Sequence, residues 1–276
     1  LVFQGYAYGS NIGHATIKID AETKTISGYQ LPALREGVLI TVFEDEFIPD
    51  PEIADTILAM QKIAEQGMDE IIGMASTYIS REGNDAQNMI GNLVCESMLD
   101  ATDADFSFLN LGGVRGDLQN GPITYRNVFD VMPFENQVVT FDVDGIFLKN
   151  IIEMRVSGTR HGLRVAGVNV VYNRTREDYD RITKLLIGGK PWQSDNIYKI
   201  CTTDFLLQGN AGLTMLTKIP ESNITRYEKS LRDCIVDYIV TNTPVSARID
   251  DRWKRNDRSE ITKELALELE QIKKIN

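Results

Sequence analysis

Histidine and cysteine are scarce in this sequence. Among 276 residues there are two histidines, His14 and His161, and three cysteines, Cys95, Cys201 and Cys234. A two-metal hydrolytic centre draws on several His and Asp side chains. Two histidines far apart in the chain, neither with a second ligand at metal spacing, do not supply one. The cysteines form no C-x-x-C pair and are odd in number, so at least one thiol is free. Each lies in an apolar stretch (NLVCESM, YKICTT, LRDCIVDYI), the setting of a buried small hydrophobe and not of a redox or metal ligand. No run approaches the roughly 18 to 20 apolar residues of a membrane helix, so no segment is expected to span a bilayer. No charged segment followed by an apolar core marks a signal peptide. Basic residues are outnumbered, 29 against 40 acidic, for a net charge of −11. A polyanion-binding surface needs clustered Lys and Arg, so a nucleic-acid polymer is not an expected partner. A single nucleotide needs only one or two well-placed arginines. The G-x-x-x-x-G-K-[ST] and G-x-S-x-G patterns are missing, and no nucleophile stands out. His161, in the loop Thr159-Arg160-His161-Gly162, reads as a solvated residue.

What is present is an ordinary globular composition, with 42% apolar and 25% charged residues. Residues 1–30 read as a β-hairpin closed around Ala21–Thr23, and 31–50 as irregular chain. The opening LVFQG partly resembles a protease-site scar, but LVFQGYAYGSNIGHATIKID also reads as strand, turn and strand. We take it as the end of a preceding domain, which makes the chain a fragment. From Pro51, Ile53, Ile57, Met60 and Ala64 recur at helical spacing, with Asp50 as N-cap and a break at Gly67. This helix is expected to be a linker packing on one face. A second helix is expected over 88–101, then a strand over 105–110 and a glycine-rich loop over 111–116. Further strands are expected at 136–143, 163–173, 182–188 and 197–203, with helices at 145–157 and 225–241. Irregular alternation of the two types predicts an α+β, mixed-sheet domain. The last segment, 257–276, reads as an amphipathic docking helix with Asp257 and Glu260 as a capping box.

The segment Asn110-Leu-Gly-Gly-Val-Arg115-Gly116 is the most informative. A strand ends on a polar residue, two glycines let backbone approach a ligand, and an arginine follows, together a cradle for an anion or a polar base. Gly-Gly turns after strands are common, so spacing alone leaves a plain turn open. Phe134, in Met132-Pro133-Phe134-Glu135-Asn136, and Phe205, ahead of Gly209-Asn210-Ala211-Gly212, stand at loop edges. Each is a core plug or one half of a stacking clamp, and neither alone identifies a ligand.

In combination these stretches resemble the C-terminal domain of the 5′-nucleotidase family, which includes UDP-sugar hydrolases and 2′,3′-cyclic-nucleotide phosphodiesterases. The order Gly-Asn-Leu, Ala-Asp strand, N-x-G-G-x-R, Gly-x-Ile-Thr, Pro-Phe, Asp-Gly-x-x-Leu and Thr-Asp-Phe is met over about residues 85–250. The resemblance implies a division into four parts: residues 1–30 as the last strands of a metallophosphoesterase domain, 31–84 as a linker with the hinge at the 51–67 helix, 85–250 as the substrate-binding domain, and 251–276 as the terminal helix. It implies that a pair of divalent metals and the catalytic residues lie in the chain's own N-terminal catalytic domain, outside this sequence, so that no catalytic or metal-ligating residue is expected here. It implies that a nucleoside or nucleotide is bound by Asn110 at the base, Arg115 at phosphate or ribose, Phe134 and Phe205 as the base sandwich, and Gly112 and Gly113 at the pocket floor. It also implies export to the periplasm or cell surface.

Two departures qualify this. The loop after the second aromatic ends Gly-Gly-Asp-Gly in the family, and its Asp holds the ribose hydroxyls. Here Ala211 stands at that place, with Asn210 as a partial substitute. The family arginine ahead of Gly-Asn-Leu is replaced by the stretch Asp85-Ala86-Gln87-Asn88, the nearest arginine being Arg81. A non-catalytic module with a decayed nucleotide site, and a sulfur-oxidation relative of the family, are therefore the alternatives.

Overall fold

The computed structural model describes residues 11–31, 39–41, 48–84, 87–157, 162–250 and 252–257. The chain divides into two units, Leu1–Gln66 and Gly67–Asn276. In the first, β1 (Asn11–Gly13) and β4 (Leu39–Thr41) pair antiparallel, and β2 (Thr16–Ile19) and β3 (Ile26–Gln30) form a hairpin. Its turn is held by Asp20, whose Oδ1 accepts from the amides of Glu22 (3.0 Å) and Thr23 (2.7 Å), so a short polar side chain stands in for a backbone turn bond. Helix α1 (Pro51–Ala64) starts where expected. Asp50 accepts from the amides of Glu52 and Ile53, and Pro51 occupies the first turn, where a missing N–H costs nothing. The expected packed face is not found: no side chain of α1 is buried, and Ile53, Ile57 and Met60 are all exposed. Helical spacing creates an apolar stripe but does not provide its partner.

The second unit holds the core. Its elements are β5 (Ile71–Ala75), the short pair β6 (Gly83–Asn84) and β7 (Gln87–Asn88), α2 (Met89–Asp100), β8 (Phe106–Leu109), β9 (Gly121–Thr124) and α3 (Tyr125–Val131). There follow β10 (Gln137–Asp144), α4 (Gly145–Ser157), β11 (Arg164–Ala166), β12 (Val168–Tyr172), β13 (Ile182–Ile187), β14 (Lys190–Pro191) and β15 (Ile197–Thr203). The chain continues through α5 (Asp204–Leu207), β16 (Ile224–Ser230), α6 (Leu231–Asn242) and β17 (Trp253–Arg255). A five-stranded sheet has the order β11-β8-β15-β10-β16, and a four-stranded sheet the order β14-β13-β12-β17. Both are mixed: β8/β15 and β12/β17 are parallel and their other pairs antiparallel. The α+β reading with mixed sheets is therefore correct. Helix α2, capped by Asn88, buries Ile90, Leu93, Val94 and Met98 with Phe106 and Phe108 of β8 in one core. Cys95, Cys201 and Cys234 are free and buried in it; burial pushes the first two thiols up to about 12 and the third to about 11.

Two element expectations need correction. The strand over 163–173 is two strands, interrupted at Gly167. That residue has φ of +78°, and a Cβ there would lie 2.2 Å from the Asp105 carbonyl oxygen. The helix over 225–241 starts only at Leu231. Ser230 and Asp233 cap it reciprocally, and the residues before them form β16, laddered to β10. Strands β5, β9 and β17 and helix α3 were not expected; α3 opens on a Thr124–Asn127 reciprocal cap. Asp85, Ala86, His161 and the terminal helix beyond Asp257 lie outside the described residues. Asp257 itself binds the Arg255 guanidinium (2.7 Å).

Candidate functional site

Strands β8 and β15 run parallel as neighbours, with Phe106 opposite Ile200 and Ser107 opposite Cys201. Their carboxyl ends therefore lie side by side, the place where open α/β sheets receive ligands. The end of β8 delivers Asn110 and the end of β15 delivers Phe205. Strand β10 is antiparallel to β15, with Val138 opposite Thr203, so its beginning lies at the same end and brings Phe134 and Asn136 there. The topology gathers three loops that are distant in sequence.

They enclose a recess of about 150 Å³ lined by Asn110, Gly112, Gly113, Arg115, Phe134, Asn136 and Phe205. Six of the seven expected site residues thus meet in one place. Asn110 precedes a 3₁₀ turn, Leu111–Gly113, closed by the Gly113 amide on the Asn110 carbonyl (3.0 Å). Gly113 sits against Leu109: a Cβ would come within 2.7 Å of the leucine Cδ2. The Arg115 amide donates to the Val131 carbonyl (2.9 Å), which anchors the loop, and its guanidinium carbon lies 5.5 Å from the Phe134 ring centroid. Among the described residues no carboxylate pairs with Arg115.

The seventh expected residue, Asn210, does not line the recess. Its Nδ2 donates to the Phe205 carbonyl (2.8 Å), so the amide fastens the loop that carries the ring. Ala211 is left-handed, with φ of 55°, and its methyl packs against the hydrophobic core. Its carbonyl accepts from Nη2 of the buried Arg155 (2.6 Å).

Sequence reasoning missed four contributors. Asn136 lines the recess two residues beyond Phe134, and its place in the same polar segment was the available signal. Asp204 joins two of the loops, its Oδ1 accepting from the amides of Phe205 (2.8 Å) and Gln137 (3.1 Å). Arg232, 6% exposed, donates to the carbonyls of Met132 (3.0 Å) and Phe134 (3.3 Å) and to Glu135 (2.7 Å), and lies 4.7 Å over the Phe129 ring. Burial pulls its pKa down, but hydrogen bonds to Tyr125 and Glu135 outweigh that and leave it raised. Arg155, noted above, is the fourth. Neither arginine carries a local motif that would mark it.

The lining can do limited chemistry. Two rings offer stacking faces, two amides offer donors and acceptors for a ring edge, and one cation awaits an anion. None of the five side chains among the seven lining residues is a nucleophile or a general base at neutral pH. Among the described residues no three His, Cys, Asp or Glu side chains converge as metal ligands would, so the residues present do not fit a divalent pair. No described helix is long and apolar enough to cross a membrane.

Residues 68–218 match the family described as 5′-nucleotidase, C-terminal domain. The 5′-nucleotidase of Homo sapiens is 28% identical over 244 residues, covering 78% of this chain and 41% of that protein. Endonuclease YhcR of Bacillus subtilis is 27% identical over 209 residues, covering 75% of this chain and 16% of that protein. A solved 5′-nucleotidase precursor from Thermus thermophilus shares the fold at a TM-score of 0.64 and 21% identity, over 92% of this chain and 51% of that one. This chain spans less than half the length of those curated relatives. The matched segment is more than half of the 276 residues, and the chain belongs to the family of 5′-nucleotidase C-terminal domains.

Proposed function

We propose that this chain is the nucleoside- or nucleotide-recognition part of a 5′-nucleotidase-type hydrolase of phosphate esters. The observation that carries the reading is the convergence of Phe134, Phe205, Asn110, Asn136 and Arg115 on one recess. In this reading the two rings sandwich a base, the two amides address its edge, and Arg115 takes phosphate or ribose. Gly112 and Gly113 keep the floor low enough for the ring to enter, and Asn210 holds Phe205 in place. The chain orients the substrate, which lowers the entropic cost of reaching a reactive geometry. Bond cleavage belongs to a preceding catalytic domain, of which residues 1–30 are the last strands and to which the metal pair is assigned. The 51–67 helix is the hinge between that domain and this one. The parent enzyme works in the periplasm or outside the cell, on small nucleotides and not on nucleic-acid polymers.

Calorimetric titration of the chain with adenosine, AMP and UMP tests this. Binding that Phe134→Ala and Phe205→Ala each weaken by ~1–3 kcal/mol is the expected result. No binding by any of them would favour the module with a decayed nucleotide site or a sulfur-substrate relative. The chain alone is expected to release no phosphate when divalent metal is added, and steady turnover would overturn that.

A further inference from the structure

We infer that Arg232, which lines no part of the recess, is a positioning residue for its ligand: it sets where the Phe134 ring stands and leaves the Phe205 ring to other supports. The inference rests on the base-clamp reading above and goes beyond it by naming what fixes one half of the clamp. The residues from Met132 to Asn136 carry Phe134 between the end of α3 and the start of β10, and belong to neither element. Regular helix bonding stops at the Met132 amide, which donates to the Val128 carbonyl (2.8 Å). Carbonyls at a helix end have lost their intrahelical donors, and Pro133 brings no N–H of its own.

The first turn of α6 supplies what the segment lacks. The Leu231 amide donates to the Asn136 carbonyl (2.8 Å). Next to it, Arg232 donates from Nε to the Met132 carbonyl (3.0 Å), and from Nη2 to the Phe134 carbonyl (3.3 Å) and Glu135 (2.7 Å). The same guanidinium bonds Tyr125 and lies 4.7 Å over the ring of Phe129, both in α3. One cation thus ties α3 to the backbone of Phe134, and none of these partners belongs to the loop that carries Phe205. A planar fork of donors suits such a set of acceptors, whereas a lysine ammonium is a point charge on a flexible stem. A buried arginine that only held the fold would cost stability when replaced and leave the affinity of folded molecules unchanged. One that places Phe134 costs affinity as well, and only while that ring is there to be placed.

The test is Arg232→Lys in the full chain, at a temperature where circular dichroism shows it folded. It is titrated with adenosine, AMP and UMP, alone and combined with Phe134→Ala or Phe205→Ala. Arg232→Lys is expected to weaken whichever ligand binds by at least about threefold, and to do so again beside Phe205→Ala. Beside Phe134→Ala it is expected to add less than about twofold. A smaller loss with both rings present, or equal losses in the two backgrounds, overturns the inference. A second readout needs no ligand. With 4-fluorophenylalanine at position 134 or at 205, Arg232→Lys is expected to shift or broaden the fluorine resonance at 134 and leave that at 205 in place. Two unmoved resonances, or a change at 205 as large as that at 134, overturn the inference too. Silence of all three ligands on the unaltered chain removes the base clamp, and the fluorine resonances then decide alone whether Arg232 places the ring. Should the lysine variant fail to fold, Glu135→Gln, which weakens one partner of the same guanidinium, is read by the same two resonances with the same criteria.

Discussion

Phe134 and Phe205 face one recess but are held differently. Phe205 is 39% exposed, and its backbone is held by Asp204 and Asn210. Phe134 is half-buried, its carbonyl tied by Arg232, and Arg115 stands over its ring. A guanidinium over an exposed aromatic face is worth ~0.5–1 kcal/mol, so Phe134 also steadies the cation that, in the proposed reading, meets the anionic part of a ligand. The two alanine substitutions should therefore cost a neutral nucleoside about the same. Phe134→Ala should cost a nucleotide about two- to fivefold more than Phe205→Ala does, read as the ratio of AMP to adenosine affinity in each variant. Arg115→Gln is expected to weaken AMP while leaving adenosine nearly unchanged. Equal losses for both ligands would put Arg115 on the base or ribose and not on phosphate.

At the scale of elements, what was legible depended on whether the signal was local. Helix α1 was legible because Asp50-Pro51 and its apolar spacing are contiguous, and α2 because Asn88 and its stripe are. The β16–α6 boundary was misread because Arg226, Glu228 and Lys229 ahead of Ser230 are ordinary helix formers. The cap made by Ser230 and Asp233 was the better guide. Gly167 broke a β-branched run that reads as one strand, since its reason, the Asp105 carbonyl, is 62 residues away. For the site, the resemblance named six of the seven residues that line the recess and not Asn136, while Asp204, Arg155 and Arg232 act across long sequence distances and leave no local pattern. Gly167 also gives a prediction. An alanine there meets both a left-handed φ and a 2.2 Å approach to the Asp105 oxygen. Gly167→Ala should lose about 2 kcal/mol or more, measured by denaturant unfolding. The same change at Gly188, also left-handed but with open space around it, should cost less.

At the scale of the molecule, every buried apolar side chain in the described residues lies at or beyond Ala75, and all seven lining residues belong to the second unit. A polypeptide beginning at Gly67 should therefore unfold cooperatively and bind the ring within about twofold of the longer chain, by circular dichroism and calorimetry. Loss of binding with folding intact would show that the first unit contributes to the site. The second unit also carries a linked charge cluster, in which Arg252 pairs with Glu96 (2.6 Å) and Asp250 (2.7 Å). Burial raises the Asp250 pKa, but hydrogen bonds from the Arg252 side chain and amide, with its charge, more than offset this and leave it below 3.8. A carboxylate with a depressed folded pKa stabilises fully above its unfolded value and loses that contribution as pH falls through the folded one. The melting-temperature gap between the unaltered chain and Asp250→Asn should thus be constant near neutral pH and close progressively below pH 3.8. A gap that widens on acidification would reverse the assignment.

The recess is assembled from the ends of β8 and β15 and the start of β10, segments that are neighbours only once the five-stranded sheet is closed. Pairing of strands so far apart in the chain is the slow part of folding, and Phe134 and Phe205 stand 71 residues apart. Ligand capture therefore works as a census of completed molecules. In a refolding experiment the bound fraction should lag behind the recovery of helical signal and coincide with protection of β15 amides. A partly folded population would be counted as empty rather than as weakly binding.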